Sequence, residues 1–69
     1  MLFMTLNQNR WLVGFQTERF ADGSIMGYTI FITDNTKHKI VYGAGLYTTI
    51  EFAKDAAIRK IQEWENQHD

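Results

Sequence analysis

The sequence predicts one α+β domain over residues 1–69, a three- or four-stranded antiparallel meander sheet with one C-terminal helix packed on one face. Short segments that alternate apolar and polar residues indicate strands. Turn-forming clusters recur too closely for crossover connections, which favours antiparallel hairpins. From Ile50 onward the apolar residues are spaced three and four apart, which is typical of an amphipathic helix. These three observations define the predicted fold class.

The first part of the chain contains two apolar segments separated by a polar turn. Residues 2–6 form a short apolar run, and residues 7–10 read as a turn. In residues 11–20, Trp11, Val13 and Phe15 fall on one side of a predicted strand. The run at residues 2–6 either adds a fourth strand or folds over the second face of the sheet.

A second predicted strand follows the turn signal Asp22-Gly23, which supplies the positive φ that tight hairpins need. One face of this strand is formed by Met26, Tyr28, Ile30 and Ile32, and the other by Ile25, Thr29, Phe31 and Thr33. Residues 34–38 are polar and turn-prone, and residues 39–44 form the last predicted strand. Turn signals this close together favour a meander.

The predicted helix runs from Ile50 to about Asn66. Its apolar stripe is formed by Ile50, Ala53, Ala57, Ile61 and Trp64. On the opposite side, Asp55, Arg59 and Glu63 alternate in sign at a spacing of four, the pattern of a solvated face. One stripe covers one sheet face.

The junction before the helix carries a glycine pair and two adjacent threonines. Thr48 fits an N-cap with Glu51 completing a capping box, and Thr49 is the alternative cap. With Thr48 as the cap, Tyr47 and Phe52 occupy the positions of a hydrophobic staple. The segment matches neither the G-x-G-x-x-G spacing of dinucleotide-binding folds nor the G-x-x-x-x-G-K-[ST] spacing of P-loops. We therefore interpret it as a strand-to-helix junction rather than an anion site, in which Gly43 and Gly45 either turn the backbone sharply or open a bulge.

The composition indicates a small cytoplasmic protein with no membrane segment. Seven Lys and Arg oppose eight Asp and Glu, so the chain lacks the basic excess typical of proteins that make many phosphate contacts. It contains no Cys, which fits a reducing compartment. Neither a secretory leader nor an apolar run of membrane-spanning length is recognised.

The helix opening resembles that of known nucleic-acid-binding domains. Tyr47, Thr49, Glu51, Ala53 and Ala56 form the string Y-x-T-x-E-x-A-x-x-A, whose first part resembles an F-x-T-x-E-x-A segment. This pattern is similar to that of the three-stranded-sheet-plus-helix domains of plant ethylene-response factors and of tyrosine-integrase arm-binding domains. A glycine turn before an A-K-x-x-A helix also resembles the second half of double-stranded-RNA-binding domains. The resemblance implies a sheet that docks on nucleic acid, although the Arg-rich sheet face of those families is missing here.

The sequence predicts no catalytic residues, no metal site and no cofactor. The two histidines, His38 and His68, are thirty residues apart and have no ligand at three or four residues' distance. The only serine, Ser24, lies in a turn and has no evident His–acid pair beside it. No small-molecule substrate is implied.

A surplus of apolar side chains on the sheet predicts an interaction surface for a protein partner or a second copy. One helix covers one face, yet the strand at residues 25–33 is apolar on both sides. The candidate protein-binding residues are Trp11, Ile25, Tyr28 and Phe31. Size alone suggests a regulatory protein of the kind encoded by mobile elements.

Nucleic-acid binding through the sheet and the hairpin at residues 37–39 is the alternative. Its candidate residues are Arg10, Arg19, Lys37, His38 and Lys39. Aromatic side chains on a sheet can stack on bases while neighbouring cations contact phosphate.

Overall fold

A computed structural model describes residues 2–67 of the chain. Four strands precede one helix: β1 (Leu2–Leu6), β2 (Trp11–Arg19), β3 (Ile25–Asp34), β4 (Lys39–Tyr47) and α1 (Ile50–Asn66). The strands form one antiparallel sheet in the order β1-β2-β3-β4, so each strand pairs with its neighbour in sequence. The α+β meander with one C-terminal helix is therefore confirmed, with four strands.

The apolar run at residues 2–6 is the fourth strand and does not fold over the second sheet face. All five of its residues pair with β2 without a shift in register, from Leu2 opposite Phe15 to Leu6 opposite Trp11. Three left-handed residues, Asn7, Gln8 and Asn9, with φ of 54°, 56° and 69°, reverse the chain between the two strands. The turn closes when the Arg10 amide donates to the Asn7 carbonyl at 3.1 Å.

In each of the other two hairpins, an aspartate side chain accepts hydrogen bonds within the turn. In the β2–β3 turn, Oδ1 of Asp22 accepts from the backbone N–H and the hydroxyl of Ser24, at 2.9 and 2.6 Å. In the β3–β4 turn, Oδ1 of Asp34 accepts from the backbone N–H and hydroxyl of Thr36 at the same distances. Such side-chain bonds to the backbone two residues on explain why Asp leads both turns.

The core lies between α1 and one face of the sheet. Its buried side chains come from the alternating inner positions of β2 and β3 and from one stripe of α1: Trp11, Val13, Phe15, Ile30, Ile32, Ala53, Ala57 and Ile61. Ile50 and Trp64 pack at the two ends of this stripe. The small side chains of Ala53 and Ala57 let the helix approach the sheet closely. The predicted stripe is confirmed, and Asp55, Arg59 and Glu63 are exposed.

The strand-to-helix junction differs from the prediction in two details. β4 continues through the glycines to Tyr47, and its register against β3 shifts between Tyr28 and Ile30. Of the two predicted roles of the glycines, the structure therefore shows the bulge within the strand. The N-cap is Thr49, whose Oγ accepts from the Phe52 N–H at 3.1 Å. Thr48 is not the cap, and Phe52 is exposed rather than part of a staple.

Candidate functional site

The face of the sheet opposite α1 carries four large apolar side chains, one on each strand. They are Phe3, Leu12, Phe31 and Ile40, which we call the apolar centre. Leu12 and Phe31 alternate with buried inner residues along their strands, and the register places Phe3 opposite Gly14 and Ile40 opposite Thr33 on the same face. We call the surface formed by the following outward-facing residues the open face: Phe3, Thr5, Leu12, Gly14, Gln16, Glu18, Thr29, Phe31, Thr33, Ile40 and Gly43.

Large and small residues alternate in two neighbouring rows across this face. The first row places Phe3 opposite Gly14, Gly14 opposite Phe31, and Phe31 opposite Gly43. In the second row the order is Thr5, Leu12, Thr33 and Ile40. A large side chain in one row is therefore offset by one strand from those in the next, so that each strand contributes one large apolar side chain to the two rows.

The two phenylalanines protect glycine backbone that would otherwise face solvent. Gly14 is buried although it lies on the open face, between Phe3 and Phe31 in the register. A Cβ on Gly43 would lie 3.5 Å from Cδ1 of Phe31, so the Phe31 ring lies beside this glycine. Aromatic side chains across from strand glycines restore apolar burial that glycine cannot supply. The apolar centre of the open face is thus partly structural.

The apolar centre remains accessible at both sheet edges. Phe3 on β1 is 54% exposed and Ile40 on β4 is 62% exposed, while Leu12 and Phe31 between them are half-buried. At the other end of the face the residues are polar, and the Thr29 hydroxyl donates to Oε2 of Glu18 at 3.0 Å. Glu18 is the single charged residue in the open face as defined, and no Lys or Arg is among its members.

The four predicted protein-binding residues do not form one surface. Phe31 lies on the open face, as its alternation with Ile30 and Ile32 requires. Trp11 is only 4% exposed and belongs to the core beneath α1, and Tyr28 packs against that core from the same side. Ile25 is exposed at the start of β3, opposite Arg19. The prediction of Trp11 as an accessible contact residue is therefore wrong, because its side chain is buried in the core. Tyr28 is half-buried, and its role in binding a partner stays a prediction.

Sequence reasoning missed three members of the apolar centre: Phe3, Leu12 and Ile40. The signal for Leu12 was present, since it alternates with Trp11 and Val13 on a strand that was predicted correctly. Phe3 could be placed only once β1 was known to be a strand, and Ile40 only from the register of β4.

Four of the five predicted nucleic-acid-binding residues share one end of the sheet. The β1–β2 and β3–β4 turns meet there, joined by the Asn35 N–H, which donates to the Arg10 carbonyl at 2.9 Å. Lys37 and His38 are exposed in the second of these turns, and Lys39 is exposed at the start of β4. Arg19 lies at the opposite end, where its Nη1 donates to the Gly23 carbonyl at 2.8 Å. The structure therefore separates Arg19 from the other four.

Arg10 is held against an aromatic ring and a buried carboxylate. Its guanidinium carbon lies 4.7 Å from the centre of the Trp11 ring, and its Nη2 is 3.8 Å from Oδ2 of Asp34. Asp34 is 2% exposed. The hydrogen bond from the Thr36 hydroxyl lowers the pKa of Asp34; the Thr36 N–H and the cations of Arg10 and Lys37 add to this, while burial opposes it. Asp34 is thus ionised at neutral pH and offsets part of the positive charge at this end.

An aromatic cluster closes the same end of the core. Trp64 of α1 packs on Trp11 with ring centres 5.4 Å apart and meets Tyr42 edge to face at 5.8 Å. The Lys60 ammonium lies 5.1 Å from the centre of the Tyr42 ring. Nε1 of Trp11 donates to Oε2 of Glu65 at 3.3 Å, and Asn7 donates to the same oxygen. Beside this cluster lies an open cavity of about 320 Å³ lined by Arg10, Trp11, Asp34, Lys37, Val41 and Trp64.

A larger open cavity, of about 420 Å³, lies between the end of β4 and the first turns of α1. Its apolar lining comes mainly from Leu46 and Phe52, both exposed, and Asp55 and Arg59 form its charged side. Opposite charges side by side on the rim give this cavity no preference for the sign of a ligand's charge.

Within residues 2–67 no group of three His, Cys, Asp or Glu side chains is arranged to hold a metal ion. His38 is exposed in the β3–β4 turn, and His68 lies outside the described residues. None of the helices in that range has the length and apolar character that crossing a bilayer requires.

Comparison with protein-family models, with curated proteins and with solved structures finds no match to this chain.

Proposed function

We propose that this protein is a small non-enzymatic interaction module that binds a protein partner through the apolar centre of its open face. The observation that carries the proposal is the presence of four large apolar side chains, Phe3, Leu12, Phe31 and Ile40, on the face that α1 does not cover. A half-solvated antiparallel sheet normally presents polar side chains on its outer face.

The exposed area supplies the driving force for docking. Each Å² of apolar surface removed from water contributes roughly 25 cal/mol, and the exposed side chains Phe3 and Ile40 stand at the two edges of the patch. Phe3 and Phe31 provide aromatic area of the kind enriched at the centres of protein interfaces. A contiguous apolar patch on a small soluble protein commonly marks such an interface.

The shape and charge of the face define the partner. Phe3 and Ile40 stand exposed at the two edges of the apolar centre, with the half-buried Leu12 and Phe31 between them, so the face offers apolar contact across all four strands. The open face has no cation and carries Glu18 at its polar end. We therefore expect a partner whose contact surface is apolar at the centre, with a hydrogen-bond donor or a cation near Glu18.

The proposal is tested by capture from the native host with matched variants as bait. Ile40→Lys places a charge in the patch at an exposed position on an edge strand, where the cost to folding is small. Phe52→Lys places the same charge on α1, at a residue equally exposed but away from the open face. We expect at least one protein to bind wild type and Phe52→Lys and to be lost with Ile40→Lys.

Circular dichroism and thermal unfolding establish that both variants are folded. Equal capture by both variants, or equal loss from both, would contradict the assignment of the open face. Copies of this chain recovered with wild type and Phe52→Lys but not with Ile40→Lys would mean that the open face binds itself.

Nucleic-acid binding is the second candidate, and one observation favours it. Arg10, Lys37, His38 and Lys39 gather at one end of the sheet, and the last three of these are exposed. Against it stand the pairing of Arg10 with Asp34 and the lack of any Lys or Arg among the open-face residues. Fluorescence anisotropy with single- and double-stranded oligonucleotides at roughly 50 mM salt tests it, because phosphate contacts are strong there. Binding that Lys37→Ala with Lys39→Ala weakens would favour this function over the first.

We extend the proposal to a cytoplasmic location, which the absence of Cys from all 69 residues supports. Fractionation of the native host, with an antibody to the chain, tests this part separately.

A further inference from the structure

The outer edge of β1 is regular, uncharged and unprotected. Its five residues, Leu2-Phe3-Met4-Thr5-Leu6, pair with β2 on one side only and without a bulge. Leu2, Phe3 and Thr5 are exposed. Within residues 2–67, α1 contacts the other three strands but not β1. An edge of this kind presents free backbone N–H and C=O groups to any strand that can pair with it.

The opposite edge of the sheet is built differently. β4 begins with Lys39, and its register against β3 shifts at two places. Charged residues and bulges are the devices by which proteins keep edge strands from pairing. The chain thus blocks one edge and leaves the other available for pairing.

We propose that β1 pairs antiparallel with β1 of a second copy of this chain, with Met4 on the two-fold axis. In this register Leu2 faces Leu6 of the second copy, Phe3 faces Thr5, and Met4 faces its own equivalent. All five residues of each strand are paired. Side chains on the helix side meet only helix-side side chains, because opposed residues in an antiparallel ladder point to the same face.

The sequence of β1 supports a second copy as the occupant. The segment has a leucine at each end and a methionine at its centre, so reversing its direction keeps apolar side chains opposite apolar ones on the helix side. It contains no charged residue that self-pairing would bring against a like charge. The two-fold arrangement uses the free edge of both copies, and the blocked β4 edge stops further growth. The product is a dimer with an eight-stranded sheet.

This pairing is independent of partner binding at the open face. It places the two open faces side by side on one sheet, with Ile40 at the far edge of each copy, three strands away from the axis. Ile40→Lys, which removes partner binding in the proposed function, therefore leaves the dimer intact. Failure of one proposal leaves the other standing.

Two double variants that differ at one position test the pairing. Phe3→Lys with Thr5→Lys sets lysine opposite lysine twice across the axis, whereas Phe3→Lys with Thr5→Glu sets lysine opposite glutamate twice. Both lack Phe3, so the loss of its packing on Gly14 is common to them. Sedimentation equilibrium from micromolar to millimolar concentration measures association. We expect wild type and the lysine–glutamate variant to dimerise, and the lysine–lysine variant to bind itself roughly tenfold or more weakly.

A monomeric wild type, equal association of the two double variants, or open-ended growth beyond the dimer would each overturn the proposal. Thermal unfolding of both variants confirms that the comparison is made between folded proteins.

Single cysteines test the register, because the natural chain has none. In the proposed dimer the two Met4 residues are opposed, with Cα atoms about 4.5–5.5 Å apart, within the range of a disulfide. The two Leu2 residues are offset by four residues, roughly 13 Å along the strand. We expect Met4→Cys to form a covalent dimer under mild oxidation much faster than Leu2→Cys, which lies on the same side of the strand. Equal rates, or faster crosslinking of Leu2→Cys, would overturn the register about Met4.

Discussion

The ring of Phe31 lies beside Gly43 on the neighbouring strand, with 3.5 Å between its Cδ1 and the place where a Cβ of Gly43 would stand. That distance is ordinary van der Waals contact, so a methyl group fits there without displacing the ring. Glycine inside a strand costs stability relative to alanine because it loses more backbone entropy on folding. This glycine is therefore not required by a lack of space.

Two single glycine-to-alanine variants are expected to change the free energy of unfolding in opposite directions. Gly43→Ala should raise the free energy of unfolding by about 0.5–1 kcal/mol. At Gly27 the added Cβ would lie 2.6 Å from Cγ of Leu46 and 2.8 Å from the Tyr47 carbonyl oxygen. Since backbone on β4 cannot move cheaply, Gly27→Ala should cost about 1–3 kcal/mol. Urea unfolding of both variants measures the difference, and destabilisation by Gly43→Ala would contradict the geometry at Phe31.

Two adjacent threonines precede the helix, and only one of them is its N-cap. Thr49 accepts the Phe52 N–H, whereas Thr48 lies outside the helix. Thr49→Ala should therefore lower the free energy of unfolding by about 1 kcal/mol, the usual cost of losing an N-cap. Thr48→Ala is the matched control and should change it by less than about 0.5 kcal/mol. A larger loss from Thr48→Ala would mean that the helix begins one residue earlier.

The packing of Trp64 on Trp11 and Tyr42 fixes the C-terminal half of α1 on the sheet. Trp64→Ala removes most of this aromatic contact and should cost about 3 kcal/mol. Phe52→Ala, an exposed aromatic on the same helix, should cost far less. Denaturant unfolding followed by far-ultraviolet circular dichroism compares them, and equal losses would show that Trp64 does not anchor the helix.

Acid should weaken the β3–β4 turn through Asp34. Because the pKa of Asp34 is lowered in the folded protein, the unfolded chain binds the proton more readily. The stabilisation is fully present above the ordinary value of 3.8 and is lost as the pH falls through the lowered pKa. Thr36→Ala removes the hydroxyl that contributes most to this lowering. Its destabilisation should be larger at pH 7 than near pH 3, as measured by thermal unfolding across that range.

Ser24→Ala is the equivalent variant in the β2–β3 turn, where the Ser24 hydroxyl lowers the pKa of Asp22 by the same kind of hydrogen bond. The destabilisation by Ser24→Ala should also be larger at pH 7 than near pH 3. A Thr36→Ala effect that stayed constant between neutral and acid pH would contradict the role of the Thr36 hydroxyl.

Local sequence patterns were sufficient to predict the strands and the helix. Which side chains meet on the open face depends on the pairing between strands. The helix bounds and its stripe from Ala53 to Ile61 follow from spacing alone, because a helix buries residues by a fixed period. The residue of β4 that lies opposite Phe31 depends on the register between β3 and β4. That register shifts at two places, and no local sequence pattern fixes where they fall. Trp11 was expected on a contact surface because large aromatics are frequent at interfaces, but in a domain this small the core needs it.

Site-specific photo-crosslinking can show directly whether a partner docks on the open face. A benzoylphenylalanine placed at Phe31 replaces one aromatic by another on the open face, and the same group at Phe52 reports on α1. On irradiation in the native host, we expect a covalent adduct with another protein from position 31 and none from position 52. An adduct from position 52 alone, or from neither position, would contradict docking on the open face.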